Sequence, residues 1–506
     1  MLSVTDGALW PPCPAPFNLA RHALEGSVAR APARVALEVV GGEAEPWSYA
    51  RLEAAVRGCG TGLLRRGLQP GDRVLMRLGN RVEFPVLFLG AIAAGIVPVP
   101  TSAALTGPEI TRMAAVIGPA LIVAGDGVAL PDPLPCPVVD AAEVVAWEAL
   151  PPCDWDMGSP DRLAYAVFTS GTSGRAQAVG HAHRALWARG MMHQGWEGLA
   201  EGDRLLHAGA FNWTYTLGTG LMDPWCVGAT ALIPAAGVEA GQLGALLQRH
   251  EATILAAAPG VYRQMLRGGL PALPHLRHGL SAGEAMPDDL RAAWQAATGC
   301  AVHEALGMSE VSTYLSGSPA RPAPAGTMGY AQNGRRVAVL GPDGMPVARG
   351  EAGVLAVDAR DPGVMLGYLG DAAATAARFA GGWFVTGDMA VMQDDGAIRS
   401  LGRADDMMNA GGFRVSPAEV EAAFAGMAGL VELAVTEVEV RPGVRVIGGF
   451  YVGDVAAAEL QAQAEAALAR WKQPRLWHRL DALPRSANNK LNRRALAGLI
   501  LPEGHA

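Results

Sequence analysis

The sequence predicts an α/β protein, with a large layered α/β N-terminal body over residues 1–402 and a small mobile α+β C-terminal domain over residues 403–506. Helical and strand-like patterns alternate along most of the chain, which predicts layered sheets whose strands are mostly parallel. Half of the 506 residues are hydrophobic, so the chain has enough apolar surface for large cores. After about residue 400 the alternation stops, and this change predicts the domain boundary.

Elements of the body are predicted from apolar periodicity and from turn residues. Residues 84–100 are apolar enough to suggest a membrane span, but Pro85, Pro98 and Pro100 interrupt the run, so a buried helix followed by a strand is predicted. In chain order the predicted elements are a helix at 52–66, a strand at 73–77, a helix at 86–94, strands at 96–99 and 163–168, helices beginning near residue 183 and at 241–250, a strand at 253–258 and a helix at 288–298.

The C-terminal domain begins with a strong helix signal. Residues 416–419, Ser-Pro-Ala-Glu, form a capping box with proline at the first helical position, which predicts a helix at 417–427. Strands at 431–440 and 445–452 and an alanine-rich helix at 455–471 are predicted to follow. Together these elements make a small α+β unit.

Composition excludes some classes of protein. Acidic residues outnumber basic ones by 48 to 40, which argues against nucleic-acid binding. The six cysteines lack metal-ligand spacing, so we expect reduced, mostly buried thiols in a cytoplasmic protein. Residues 1–16 show no signal-peptide pattern, and no membrane association is predicted. Lysine occurs only at Lys472 and Lys490.

One loop has the composition of a phosphate-binding segment. It contains Thr169, Ser170, Gly171, Thr172, Ser173 and Gly174, and it lies between the predicted strand at 163–168 and the helix near residue 183. Hydroxyl and glycine residues offer several N–H and O–H donors without side-chain bulk, as phosphate binding requires. The Walker pattern is absent, and a plain linker is the alternative.

Six motifs follow one another in a fixed order. They are FTSGTSGRAQA at 168–178, SAGE at 281–284, GMSE at 307–310, WFVTGD at 383–388, the stretches GRADD and GGFRVSPAEVE within 402–421, and PRSANNK at 484–490. With these motifs nearly the whole chain resembles the adenylate-forming superfamily of acyl-CoA synthetases, adenylation domains and luciferases. The resemblance implies ATP, Mg²⁺ and CoA as cofactors or co-substrates, and a small carboxylic acid as the partner.

The resemblance also assigns roles to residues. ATP binding is expected from the loop at 169–174 and from Gly283, Glu284, Gly307, Ser309, Asp388 and Arg403. A carboxylate such as Asp388 accepts hydrogen bonds from both ribose hydroxyls, and Glu310 suits Mg²⁺ that bridges phosphates. Asp405 corresponds to the hinge, Gly411 and Gly412 to the CoA site, and Lys490 to the catalytic lysine of adenylation. Ordinary turns, helix starts and surface ion pairs are the alternatives at these positions, and a solvated surface lysine is the alternative for Lys490.

Several positions depart from the superfamily pattern. Gln177 replaces the lysine of the phosphate loop, between Ala176 and Ala178. Leu306 stands where an aromatic residue often stacks on adenine, and Asn409 and Asn489 also differ. Loss of the loop lysine predicts weaker ATP binding, and the departures together leave a catalytically weak nucleotide- or acyl-binding protein as an alternative.

Two predicted acyl segments, residues 213–225 and 258–262, resemble those of the medium-chain acyl-CoA synthetase and benzoate-CoA ligase branch. Trp213, Tyr215 and Gly260 are expected to line an apolar acyl pocket, although the two aromatic residues could equally be core residues. A medium-chain or aromatic acid–CoA ligase is therefore predicted. A stand-alone adenylation enzyme that loads a carrier protein is the other enzymatic alternative.

Overall fold

The computed structural model describes residues 1–5, 7–42, 45–170, 176–404, 408–410, 413–441, 444–485 and 491–499. These residues fall into two compact units. Unit 1 comprises Met1–Val4, Val337–Ala356 and Val385–Ala506, and unit 2 comprises Thr5–Arg336 and Val357–Phe384. The chain passes between the units within two strands, Ala352–Asp358 and Trp383–Met392. A mobile domain that begins after residue 402 stays a prediction.

The largest sheet lies in unit 2. Its neighbouring strands are parallel from Val302–Met308 through to Val35–Val40, and the strands at both ends are antiparallel. The prediction of mostly parallel strands is therefore confirmed for this sheet. Among the described residues it has nine strands, in the order Tyr330–Ala331, Ser312–Ser316, Val302–Met308, His278–Ala282, Ile254–Ala257, Arg204–His207, Thr230–Pro234, Val35–Val40 and Trp47–Ser48.

Two smaller sheets also belong to unit 2. A parallel sheet has the order Val97–Pro100, Arg73–Arg77, Leu121–Ala124 and Val138–Asp140. An antiparallel sheet has the order Gly367–Tyr368, Ala176–Ala182 and Leu163–Ser170. The short strand Phe379–Ala380 pairs with the first residues of Trp383–Met392.

Some helices of unit 2 begin at side-chain caps, and others end at glycines. Asn18 and Ser48 accept hydrogen bonds from the first turns of their helices, and Gly299 ends a helix with a φ of 73°. The α-helices are Leu19–Arg30, Tyr49–Arg65, Glu83–Ala93, Gly107–Ile117, Ala141–Glu148, Arg184–Met192, Asp223–Val227, Leu243–Arg249, Pro259–Gly268, Asp288–Thr298 and Ala372–Ala376. Two π-helical stretches, His193–Glu197 and Thr216–Met222, and a 3₁₀ turn, Ala240–Gln242, complete the helical residues of unit 2 that the structure describes.

The proline-interrupted apolar run forms the predicted helix and strand. Glu83–Ala93 is buried from Phe84 onward, and all of Val97–Pro100 is buried. Within the described ranges, no helix combines the length and apolar character needed to cross a membrane.

Unit 1 contains the C-terminal elements. The strand Val337–Leu340 precedes them, and Ile398–Arg403 pairs antiparallel with the end of Trp383–Met392. The other elements are the strand pair Met408–Ala410 and Phe413–Val415, a sheet in the order Leu430–Arg441, Val444–Gly453 and Leu476–Arg479, and the helices Pro417–Ala422, Ala457–Ala467 and Arg493–Ala497.

Two predicted helices of unit 1 are shorter than expected. The helix predicted at 417–427 ends at Ala422, and single turns closed by hydrogen bonds from residue i to residue i−3 continue to Met427. The helix predicted at 455–471 is Ala457–Ala467, because Leu468 adopts an extended backbone and packs against the core. Tertiary packing overrides helix propensity at this end.

The cysteines are reduced but less buried than expected. All six are unpaired, while only Cys59 and Cys153 are buried and the other four are partly buried. The expectation of mostly buried thiols is therefore corrected. Cys13, Cys136, Cys226 and Cys300 retain some solvent contact, although Cys136 and Cys300 also pack against core clusters.

Candidate active site

Four adjacent parallel strands of unit 2 bring the predicted substrate residues to one edge of the sheet. Gly283 and Glu284 follow His278–Ala282, while Gly307 lies near the end of Val302–Met308 and Ser309 and Glu310 follow it. The acyl segments at 213–225 and 258–262 come after Arg204–His207 and Ile254–Ala257. Carboxyl ends of parallel strands share one edge, which is where open α/β sheets bind ligands.

Gly283 and Trp213 lie against each other at this edge. Gly283 has a φ of 95°, and a Cβ atom built on it would stand 2.5 Å from Cζ2 of Trp213. Glycine is therefore needed for the close approach of the indole. A predicted nucleotide residue and a predicted acyl-pocket residue are thus direct neighbours.

Tyr215 lies in a hydrophobic core cluster, and Gly260 lies in a helix. Tyr215 belongs to a buried core cluster, donates a hydrogen bond to the Leu280 carbonyl at 3.1 Å and meets Trp213 edge to face. Burial raises the pKa of the Tyr215 hydroxyl well above its usual range. This is the core alternative that the sequence left open, so a pocket role for Tyr215 stays a prediction. Gly260 lies in the first turn of Pro259–Gly268.

Glu310 occupies the turn between Val302–Met308 and the antiparallel strand Ser312–Ser316. It is buried, and its Oε1 atom accepts a hydrogen bond from the Tyr368 hydroxyl at 2.7 Å. One buried carboxylate with a fixed orientation suits Mg²⁺, which prefers one or two protein carboxylates plus phosphate oxygens. The donor set therefore fits the metal. Sequence reasoning did not identify Tyr368, because it is far from the motif in sequence.

Asp388 and Arg403 form an ion pair within unit 1. They face each other on antiparallel strands, and Arg403 Nη1 lies 3.1 Å from Asp388 Oδ1 and 3.0 Å from the Thr386 carbonyl. The Thr386 hydroxyl accepts from the Asp388 amide at 3.0 Å and donates to the Leu355 carbonyl at 2.8 Å. Two residues that the motifs predicted separately are thus brought together.

Other predicted site residues lie outside the described residues. They are Gly171, Thr172, Ser173, Gly174, Asp405, Gly411, Gly412 and Lys490. Thr169 and Ser170 end the strand Leu163–Ser170, and Thr169 pairs with Gln177 on the returning strand. Gln177, at the position of the superfamily lysine, is therefore opposite a residue predicted to bind phosphate.

A small cavity of about 10 Å³ lies beside Ser309 in unit 2. The predicted acyl segment contributes Thr214, Leu217 and Met222 to its lining, rather than Trp213 or Tyr215. The other lining residues are Tyr165, His181, Ala185, Arg189, Ser309, Val311, Ser312, Arg335 and Gly363. Sequence reasoning missed these residues apart from Ser309, since none of the others belongs to the assigned ligand-binding positions.

Charged side chains are buried beside the cavity. Arg189 pairs with Asp223, and both side chains are buried. The Arg189 charge holds the pKa of Asp223 below its usual range against the opposing effect of burial. Burial and the neighbouring Asp223 raise the pKa of Glu197 well above its usual range. Arg189 and Asp223 therefore form a neutral pair.

The chain is similar to known proteins in sequence and in structure. The profile of the AMP-binding enzyme family matches residues 24–369. A benzoate–CoA ligase of Thauera aromatica is 30% identical over 89% of this chain and 90% of its own length. A 4-hydroxybenzoate–CoA/benzoate–CoA ligase of Rhodopseudomonas palustris is 30% identical over 90% of this chain and 89% of its own. The crystal structure of a benzoate CoA ligase from Burkholderia xenovorans superposes with a TM-score of 0.85 at 27% identity, covering 95% of this chain and 100% of that one.

Proposed function

Because the chain belongs to the AMP-binding enzyme family, we propose that it is an ATP-dependent carboxylic acid–CoA ligase that acts through an acyl-adenylate. The observation that carries the proposal is the convergence of the predicted acyl and nucleotide segments at one edge of the large sheet. Relatives at 30% identity that are named as benzoate–CoA ligases support an aromatic acid as the substrate. A medium-chain acid is the other substrate class.

The reaction has two steps. A carboxylate oxygen of the acid attacks the α-phosphorus of ATP, forming the acyl–AMP anhydride and releasing pyrophosphate. The CoA thiolate then attacks the acyl carbonyl carbon, so that a C–S bond forms and the C–O bond to AMP breaks. Both steps build negative charge at the reacting centre, which preorganised donors and cations stabilise.

Residues of the chain have distinct proposed roles in these steps. Asp388, oriented by Arg403, would accept hydrogen bonds from the ribose hydroxyls. Gly283, Glu284, Gly307 and the loop at 169–174 would contact the nucleotide. Glu310 would hold Mg²⁺, which when bound neutralises charge on the phosphates. The Tyr368 hydroxyl keeps the Glu310 carboxylate in one orientation.

Lys490 is proposed to stabilise the charge that develops during adenylation. In the same proposal, residues 403–506 form a domain that rotates about Asp405, withdraws Lys490 and presents Gly411 and Gly412 to CoA. A cytoplasmic location is also proposed, and the six unpaired cysteines support it.

The test is release of pyrophosphate and AMP from ATP with a panel of acids, containing C2 to C10 fatty acids and benzoate derivatives, with and without CoA. Thioester and AMP formation with at least one acid is the expected result. An acyl-AMP that turns over only after a carrier protein is added would identify a carrier-loading enzyme instead. Absence of pyrophosphate with every acid would identify a nucleotide- or acyl-binding protein.

Replacement of Lys490 separates the two half-reactions. Lys490→Ala should slow adenylation by about 100-fold or more, because a cation at the developing charge is lost. The thioester step from pre-made acyl-AMP should be largely retained. Lys472→Ala is the matched control: it removes the other lysine, which pairs with Glu419, and should leave both half-reactions unchanged. Equal loss of both steps in Lys490→Ala would contradict the assigned role.

A further inference from the structure

The cavity beside Ser309 is lined by residues of two predicted substrate segments. Thr214, Leu217 and Met222 belong to the predicted acyl segment, and Ser309 belongs to the predicted nucleotide segment. With a volume of about 10 Å³, the cavity has room for about one water molecule or one hydroxyl group, and not for an aromatic ring. It therefore suits a single substituent of an acid whose body lies elsewhere.

Arg189 supplies a hydrogen-bond donor to this cavity. Its Nε atom lies 2.7 and 3.0 Å from the two carboxylate oxygens of Asp223, and Nη2 contacts Asp223 and the Thr219 hydroxyl. Nη1 donates to the Ser312 hydroxyl oxygen at 2.5 Å. A guanidinium group has five N–H bonds, so among the described residues one N–H of Nη1 has no partner.

The backbone is shaped to hold this guanidinium group. A Cβ atom built on Gly218 would stand 2.0 Å from Cζ of Arg189, so only glycine permits the observed approach. Gly218 lies in the π-helical stretch Thr216–Met222, and π-helical bulges are frequent at functional sites.

Ser312 is held in a strained conformation beside the cavity. Its φ is 70°, and Glu251 is the other non-glycine residue with a positive φ in the described part of the chain. Ser312 directly follows the three-residue turn 309–311, where glycine is the usual residue at the left-handed position. Backbone strain of this kind persists only where the surrounding structure enforces it, and strained residues cluster at functional sites.

His181 supplies a hydrogen-bond acceptor. Its Nε2 atom lies 2.8 Å from the Ser309 carbonyl oxygen, which can only accept, so Nε2 carries the proton and Nδ1 is the acceptor. His181 is buried, and Nδ1 has no hydrogen-bond partner among the described residues. Burial lowers the pKa of the imidazole to about 4, so the ring is neutral at pH 7.

We propose that Arg189, Ser312 and His181 form a hydroxyl-binding subsite, and that the preferred acid of this enzyme carries a hydroxyl group. A hydroxyl group donates to Nδ1 of His181 and accepts from Arg189, which pairs both unpartnered groups at once. An amino group donates well but is a weak acceptor. A second carboxylate is disfavoured because Asp223 already neutralises Arg189. A methyl group would leave both polar groups unpaired.

This inference rests on the proposed function, and its test measures pyrophosphate release so that it does not depend on CoA. The acids are benzoate, its three hydroxy isomers, its amino and methyl derivatives, and a benzene dicarboxylate. At least one hydroxy isomer should exceed benzoate in kcat/KM by about 10-fold or more, because a site built for a hydroxyl rejects the analogue that lacks it. If no hydroxy isomer exceeds benzoate, or if a methyl or amino derivative exceeds every hydroxy isomer, the inference is overturned.

Two variants assign the preference to these side chains. Ser312→Ala and Arg189→Lys should each lower the ratio of kcat/KM between the preferred hydroxy acid and benzoate by about 10-fold. Arg189→Lys keeps a cation for the buried Asp223, so the protein remains folded. Ser316→Ala is the matched control: Ser316 lies on the same strand, bonds to the Gly195 carbonyl and should leave the ratio unchanged. A ratio that survives in both site variants would overturn the inference.

Failure of the inference and failure of the proposed function are distinguishable. A preference for a hydroxy acid in pyrophosphate release, without thioester formation, would remove only the CoA ligase proposal. Thioester formation without a hydroxyl preference would remove only the subsite. No pyrophosphate release with any acid would overturn both.

Discussion

At the residue scale, Tyr368 and Glu310 form a contact on which metal binding should depend. The Tyr368 hydroxyl donates to Glu310 at 2.7 Å, and both residues are buried. A carboxylate held by such a donor keeps one orientation toward a metal ion. Tyr368 therefore acts as a positioning residue in the proposed reaction.

Tyr368→Phe should raise the Mg²⁺ concentration for half-maximal adenylation by about 10-fold, because the carboxylate loses its orienting donor. Titration of pyrophosphate release with Mg²⁺ measures the change. Tyr262→Phe is the control, since it also removes a buried hydroxyl, one that bonds to the backbone carbonyls of Leu255 and Leu280. An unchanged Mg²⁺ requirement in Tyr368→Phe would contradict the positioning role.

Gln177 is neutral at the position where the superfamily has a positively charged lysine. It pairs with Thr169 across two antiparallel strands, next to the loop predicted to bind phosphate. Gln177→Lys should therefore lower the KM for ATP by about 3-fold or more, through attraction to the phosphates. Gln177→Met, which is neutral and of similar length, should not lower it. An unchanged or raised KM in Gln177→Lys would mean that other residues already compensate.

At the element scale, the π-helical stretch Thr216–Met222 determines how closely its backbone approaches Arg189. Gly218 provides the room that the guanidinium group needs, and Thr219 bonds to it from the same stretch. The segment was recognisable from the sequence as part of the substrate region. Its π-helical geometry was not, because the contact with Arg189 is tertiary.

Gly218→Ala should lower the free energy of unfolding by about 3 kcal/mol or more, since displacement of Arg189 leaves Asp223 buried without its partner. This sign is opposite to the usual effect of replacing glycine by alanine in a helix, which stabilises by about 1 kcal/mol. Gly241→Ala is the control, because nothing lies within 4 Å of its added Cβ. Urea unfolding measures both variants, and equal stabilities would contradict the argument.

Element positions were well predicted where local signals are strong. The strand Arg73–Arg77 and the helix Asp288–Thr298 have the predicted bounds, because turn residues and periodicity agree there. The helix ending at Ala467 was predicted too long, since alanine favours helix at Leu468 whereas core packing requires an extended backbone. Local propensity is weaker than packing at such an end.

At the scale of the whole molecule, burial of imidazoles makes stability depend on pH. Burial lowers the pKa of six histidines of unit 2, among them His278. The pKa is about 4 for His22, His181 and His303, and about 3 for His183 and His207. Unfolded histidine has a pKa near 6.5. The unfolded chain therefore binds more protons as pH falls below about 6.5, and the folded state loses stability down to about pH 4.

Buried carboxyls oppose this trend. Burial raises the pKa of Glu148 and Glu304 to about 7, so their contribution is present at low pH and is lost as pH rises from about 4.5 through 7. The pKa values of Glu197 and Glu53 are also raised by burial, so their contributions to stability change with pH in the same direction. The six imidazoles outnumber these carboxyls, so the net effect is acid destabilisation.

The free energy of unfolding should therefore fall by about 3 kcal/mol between pH 7 and pH 5. Urea unfolding at several pH values measures the change. His303→Phe should reduce the slope, because it removes one buried imidazole, whereas His275→Phe is the control at a half-exposed site. Stability that is constant or that rises as pH falls over this range would contradict the prediction.

The sequence by itself determined the α/β class, the positions of several elements and the family. Periodicity, caps and turn residues act over a few positions, so they are readable without packing. Motif matches identified Asp388, Arg403 and Glu310 as candidate site residues. These matches are also readable without packing, because each is a short run of neighbouring residues.

Only the tertiary structure decided which side chains meet. Arg189 bonds to Asp223, 34 positions away, and to Ser312, 123 positions away, and Tyr368 reaches Glu310 across 58 positions. It also decided that Tyr215 packs in the core while Thr214 lines the cavity. Such contacts depend on how strands and helices pack. Packing brings together residues that are far apart in the chain, and the sequence around each residue does not indicate its partner.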